Sequence, residues 1–398
     1  MVTQPSPAPR KQTLRTRAIG VLALQALVSV SSLLQILVFT PILRAGDFDS
    51  YAVWITTLLF IAGLAQAAGG ERVLVGRRTY AQGRGATLVV AIAATGVLVA
   101  TGVVLRSPAL ALAGISVAPL LLWDYERLVH GQRDPWGLLW RDGAVLVLQL
   151  GSTLAAAQFH TSLWLVLVWW GTGGLAWLLL VGRMAEGRLR PGAALTDMRG
   201  DLPENWPLLA DTVLAGAPLL ISLSLLHSYG ADGEASQARL CVSLLAPITI
   251  LALTARRLVF ARAGQGRMTT RVVRLWIVVV LLVCLLAVAL LSLPRAQWFQ
   301  EVVPLLQPLS LVAMTGFVLD RSARLAATLP GSMLRAGGRT RPVVISRALS
   351  LFVGMAVMTL LWPVTSAASA GLVAGAASAA FLVMATAVAW RGARVRAR

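Results

Sequence analysis

Residues 18–41 read AIGVLALQALVSVSSLLQILVFTP, and residues 51–70, beyond a nine-residue turn, read YAVWITTLLFIAGLAQAAGG. Each run is about 20 residues long and free of charge, the length a helix needs to cross a hydrocarbon layer of roughly 30 Å. Runs of this kind recur to the end of the chain. The pattern predicts an all-α polytopic membrane protein of about 12 transmembrane helices. The first six cover 18–41, 51–70, 86–105, 109–123, 143–159 and 162–182; the second six cover 206–226, 238–255, 275–293, 303–319, 342–362 and 366–390. The fourth and tenth are short and are expected to continue helically past one end. Bounded this way, no span carries an arginine or lysine near its middle, so cationic contacts are expected at the mouths.

Composition agrees. Of 398 residues, 57% are hydrophobic and 13% charged, against about 25% charged in soluble proteins, and the mean hydropathy is +0.77. The net charge of +19 is a matter of topology rather than of nucleic acid. Of 35 basic residues, 31 fall in the N-terminal tail, the C-terminal tail and alternate connections, and only Arg44, Arg106, Arg239 and Arg295 fall on the other side. The positive-inside rule then places both termini in the cytoplasm, with anionic membrane lipid as the natural partner of that face. Trp123, Trp206, Trp276, Trp298, Trp362 and Trp390 stand at expected span ends, where an indole suits the interface. Two cysteines and three histidines form no metal, disulfide or catalytic spacing, and no nucleotide-binding or hydrolase motif is present. The composition therefore excludes most enzymes, and no cofactor is implied.

The halves repeat. Arg72-Val-Leu-Val-Gly-Arg77 after the second span is answered by Arg257-Leu-Val-Phe-Ala-Arg262 after the eighth; Gln82-Gly-Arg84 by Gln265-Gly-Arg267; Gly131-Gln-Arg-Asp-Pro135 by Gly338-Arg-Thr-Arg-Pro342. Three matches in order make a 6+6 parallel repeat. The expected organisation is a cytoplasmic tail (1–17), an N-lobe (18–182), a cytoplasmic inter-lobe linker (183–205), a C-lobe (206–390) and a second tail (391–398). Transporters are often built from such repeats, with the site between the bundles.

An Arg-rich start, a span carrying Gln25, Ser29, Ser32 and Gln35, and the turn Leu43-Arg44-Ala-Gly-Asp-Phe48-Asp-Ser-Tyr51 together resemble the polysaccharide flippases of the multidrug/oligosaccharidyl-lipid/polysaccharide (MOP) exporter superfamily. Ala67-Ala-Gly-Gly-Glu-Arg72 matches the small-residue stretch that ends their second span. Asp49 stands where their pattern has glycine, and the second lobe's turn, Asp232 to Arg239, matches more weakly. The resemblance implies a transporter in a bacterial inner membrane. It would move a polyprenyl-diphosphate-linked glycan from the inner to the outer leaflet, alongside glycan polymerase or glycosyltransferase partners.

The candidate site follows from these residues. Gln25, Ser29, Ser32 and Gln35, spaced four, three and three, form one helical stripe; it either lines a cavity or makes interhelical contacts. Arg44 and Arg239 flank equivalent external turns, as diphosphate ligands or as snorkelling side chains. Asp211 is an acid inside the seventh span, a coupling-ion candidate or, with Glu204, a helix-dipole partner. Arg72, Arg257 and Arg347 edge the cytoplasmic mouth. Asp124 and Asp320 are expected to pair with Arg127, Arg321 or Arg324. Gly371 and Gly375 suggest close helix packing. Three other readings stay open: cation-coupled drug efflux on the same fold, a non-transporting partner of a glycan-assembly complex, and a polyprenyl-phosphate-sugar glycosyltransferase using Asp47 or Asp49.

Overall fold

A computed structural model describes residues 14–39, 41–74, 78–104, 106, 108–131, 134–159, 164–180, 191–246, 248–249, 270–292, 310–336 and 340–396. Among these residues the regular structure is entirely helical. Twelve helices answer the twelve expected spans: α1 (Leu14–Phe39), α2 (Ala45–Ala65), α3 (Tyr80–Val104), α4 (Pro108–His130), α5 (Pro135–Ala157), α6 (Trp164–Leu180), α7 (Pro191–Tyr229), α8 (Glu234–Leu244), α9 (Thr270–Ser292), α10 (Leu311–Ala336), α11 (Thr340–Leu360) and α12 (Ala367–Arg396). Six contain stretches long and apolar enough to cross a membrane, and α6 and α9 contain shorter apolar ones. Large apolar side chains face outward along the spans; Leu281, Leu282 and Leu285 of α9 and Phe352 of α11 are exposed, as a face solvated by lipid requires.

The fourth and tenth spans continue helically past one end, as expected. α10 continues from the tenth span to Ala336, because Asp320 and Arg324 are paired at i,i+4 and so support the helix. α4 likewise continues to His130. Residues 191–205, expected as a linker, are the first turns of α7. At 39 residues and 1.5 Å per residue, α7 measures about 58 Å, far longer than the roughly 30 Å core, so its polar N-terminal end, with Asp197, Arg199, Asp201 and Glu204, projects beyond the bilayer. Residues 1–13, 181–190 and 397–398 lie outside the described residues, as do Arg257, Trp298 and the second-lobe copies of the first two repeated motifs.

The helices gather around two main cores, one among α1–α6 and one among α7–α12, and α7 packs against α2 and α3 as well as against α11 and α12. Phe39, Tyr51 and Trp169 meet edge to face in the N-lobe core. The C-lobe is built on α10 against α12, where Gly316, Gly371 and Gly375 bring the backbones together: a Cβ on Gly316 would lie 2.4 Å from the Gly371 carbonyl carbon. The expected close packing at Gly371 and Gly375 is thus present, with Gly316 as their partner. The lobes interlock where Leu240 of α8 enters the N-lobe core and Val53 of α2 packs on the C-lobe core. Trp123 is not interfacial. It is buried, and its Nε1 donates to Asp142 at 2.8 Å.

Candidate functional site

The seam between the lobes has a polar clasp at its arginine-poor end. Asp49, in the first turn of α2 and 3% exposed, accepts the backbone N–H groups of Gly233 and Ser236, both at 2.7 Å, and the Ser236 hydroxyl. These are the free N–H groups that open α8, so a carboxylate of one lobe caps a helix of the other. Gly233 takes φ +96° there, a conformation that a side chain would strain. Between Gly233 and Ser236, Glu234 Oε2 accepts the N–H of Ala367 at 2.6 Å, which ties α8 to the start of α12. Asp49 therefore caps α8 and not its own helix. The N-cap of α2 is Arg44, which makes no side-chain capping bond.

Below the clasp lies a buried cluster of charge. Arg239 of α8 is 3% exposed, with its Nε lacking a hydrogen-bond partner. Its charge acts on Tyr51 of α2 and on Arg321 of α10. Asp320, wholly buried, pairs with Arg324 at 2.7 Å and more loosely with Arg321 at 3.6 Å, and accepts the Ser378 hydroxyl of α12 at 2.5 Å. Two guanidiniums face one carboxylate, with Arg239 beside Arg321, a net positive charge where the dielectric is low and fields act strongly. The expected pairing of Asp320 with Arg321 or Arg324 is thus present, and both take part. The i,i+4 spacing of Asp320 and Arg324 was the signal that the helix runs on.

The α1 stripe is partly buried at Ser29 and Ser32 and fully buried at Gln35, whose Nε2 has no hydrogen-bond partner. The side chain of Gln25 lies outside the described residues. Arg44 is exposed and Arg239 buried, so the two are not equivalent despite their matching turns. Asp211 sits twenty residues into α7 rather than near its start, which removes the helix dipole as its reason. Its Oδ1 instead meets Arg347 Nε at 3.1 Å, joining the coupling-ion candidate to a residue expected at the mouth.

Towards the arginine-rich end, α2 widens through a π turn at Gln66–Gly70. Arg78 Nη1 donates to the Ala68 carbonyl in that turn at 2.7 Å, and Arg72 is buried just after it. Asp124 accepts from Gln66 Nε2 at 2.5 Å, while Arg127 turns to Asp142 at 2.6 Å. Glu126 collects Tyr80, Arg84 and His130, a cluster that the sequence did not announce. No group of described residues has the makings of a metal site.

Two helical lobes are clasped across a polar seam inside a lipid-facing shell. Solved structures share this fold. The MurJ lipid II flippase in an inward closed conformation matches with a TM-score of 0.65 at 10% identity, covering 94% of this chain and 86% of that one. A point mutant of the Vibrio cholerae MATE transporter VcmN matches at 0.60 and 14% identity, over 96% and 98%. The MATE transporter ClbM in complex with Rb+ matches at 0.59 and 16%, over 95% and 93%. The chain has the twelve-helix, two-lobe fold of the MOP superfamily exporters. No protein-family model matches the sequence, and no curated protein is a detectable relative.

Proposed function

We propose that the protein moves a polyprenyl-diphosphate-linked oligosaccharide or polysaccharide precursor from the inner to the outer leaflet of a bacterial inner membrane, by alternating access between its lobes. One observation carries this reading: buried Arg239 lies beside Arg321, which with Arg324 shares the single buried carboxylate of Asp320. A guanidinium matches phosphate oxygens in a bidentate fork, and a cation excess at the seam offsets the cost of bringing a diphosphate out of water. Gln35, Ser32 and Ser29 then serve sugar hydroxyls along α1, and Arg44 meets the headgroup at the outer mouth. Arg72 and Arg347 border the opposite side, with both termini in the cytoplasm. The Asp49 clasp is the outer gate in its shut position. A glycan polymerase or glycosyltransferase supplies or consumes the cargo.

The test is a leaflet assay. A fluorescent polyprenyl-diphosphate oligosaccharide is loaded into vesicles containing the protein, and its exposure to an impermeant quencher is followed. Protein-dependent exchange that falls at least tenfold in Arg239→Gln supports the reading, and no exchange with folded protein sinks it.

The MATE neighbours favour a second reading, drug efflux coupled to a cation. Resistance to cationic drugs on expression, with no movement of lipid-linked glycans, would select it.

A further inference from the structure

Three helices of the C-lobe converge on one carboxylate, and the group that they present to it is a cation from the chain itself. Asp211 of α7 is 4% exposed and lies five residues inside the apolar stretch that starts at Trp206, about 7–8 Å by helical rise. Arg347, two turns into α11, places Nε 3.1 Å from Asp211 Oδ1. The same guanidinium lies over the Phe381 ring of α12, its carbon 3.3 Å from the ring centroid. The buried face of α11 here also carries the hydroxyls of Ser346 and Ser350, and the Ser350 hydroxyl donates to the Arg347 carbonyl at 2.7 Å.

An ionised carboxylate at this depth needs a counter-charge. A carboxylate, an aromatic face and nearby hydroxyls make a setting that suits any small cation. We propose that Arg347 is a built-in counter-cation: it fills a monovalent-cation site centred on Asp211 and Phe381, so that the wild-type C-lobe takes no cation from solution there. Two physical advantages hold it in place. A tethered group competes at an effective concentration that a free ion must exceed, and a planar guanidinium stacks on a ring while forking to a carboxylate. The inference concerns the ion occupancy of this lobe and does not depend on the cargo. Removing the guanidinium while keeping the carboxylate opens the site to sodium, potassium or rubidium.

The experiment is thermal unfolding of the purified full chain, followed by tryptophan fluorescence, in choline chloride and in sodium, potassium or rubidium chloride at constant ionic strength. Wild type melts at the same temperature in each salt. Arg347→Gln melts lower in choline and gains a saturable rise of a few degrees with one of the alkali ions. Asp211→Asn/Arg347→Gln shows no such rise. Arg347→Lys keeps the charge in place and stays indifferent to the salts. A saturable alkali-ion effect on wild type or Arg347→Lys that Asp211→Asn abolishes overturns the proposal, whether or not Arg347→Gln can be purified. So does a folded Arg347→Gln that responds to none of the three ions.

Discussion

Asp49 of the N-lobe receives the backbone N–H of Ser236 of the C-lobe at 2.7 Å, and with it the N–H of Gly233 at the same distance. The free N–H groups at a helix start carry partial positive charge, so the bond is charge-assisted. It is also conditional. Rocking the lobes apart at this end exposes Asp49 and the α8 terminus together, and both then turn to water.

Asp49→Ala is therefore expected to favour the state open at the arginine-poor end. A lost cap is worth about 1–2 kcal/mol, a shift of roughly 5–30-fold in the closed-to-open ratio. Spin labels on α2 and α8 near this end should report a longer distance in the variant. An unchanged distance distribution would show that the apolar contacts of Leu240 and Val53 hold the seam by themselves.

Arg239→Gln separates a functional from a structural role. Removing the Arg239 guanidinium relieves its like-charge repulsion with Arg321, so the melting temperature should stay level or rise. Transport of an anionic headgroup should fall at least tenfold, about 1.4 kcal/mol or more in the transition state. Lost stability together with lost transport would make Arg239 a packing residue. Asp320→Asn should behave oppositely: it leaves buried guanidiniums unpaired, costs about 3–5 kcal/mol, and lowers the melting temperature by several degrees.

The sequence carried the helix count, because twelve runs of lipid-compatible length leave little freedom in where the chain crosses. The contact of Gly371 and Gly375 was legible for a similar reason, since small residues at i,i+4 make a flat face. The pairing of Asp320 with Arg321 and Arg324 was legible too, because the residues stand close along one helix. The burial of Asp320 was not, because hydropathy treats it as the end of a span. Nor did any local pattern say that Asp49 caps a helix 184 residues later, because a tertiary cap depends on lobe packing rather than on neighbouring residues. Asp211 was singled out for its depth, but its partner on α11 is a long-range fact.

Gly316→Val tests the tightest helix contact of the C-lobe. A Cβ at this position meets the Gly371 backbone at 2.4–2.6 Å, so α10 and α12 must separate. Overpacking of this kind costs about 1–3 kcal/mol. The melting temperature should drop, and Gly371→Val should add little further loss, because the two changes disrupt the same contact. Full additivity would mean that the two glycines act in separate contacts.

Glu126 is the junction of α3 and α4 at the arginine-rich end. Its carboxylate accepts the Tyr80 hydroxyl at 2.5 and 2.6 Å and faces Arg84 at 3.2 Å and His130 at 3.1 Å. Tyr125 reinforces the junction by donating to the Tyr80 carbonyl at 2.6 Å. Glu126→Gln keeps the shape but removes the charge that Arg84 faces in a buried setting, where breaking such a pair costs about 3–5 kcal/mol. Tyr80→Phe removes one neutral donor and should cost nearer 1 kcal/mol. Hydrogen exchange would show where the loss falls. Faster exchange confined to the first turns of α3 and the last turns of α4 is expected, because the cluster lies within the N-lobe. Faster exchange at the Asp49 clasp as well would mean that the two ends of the seam are energetically coupled.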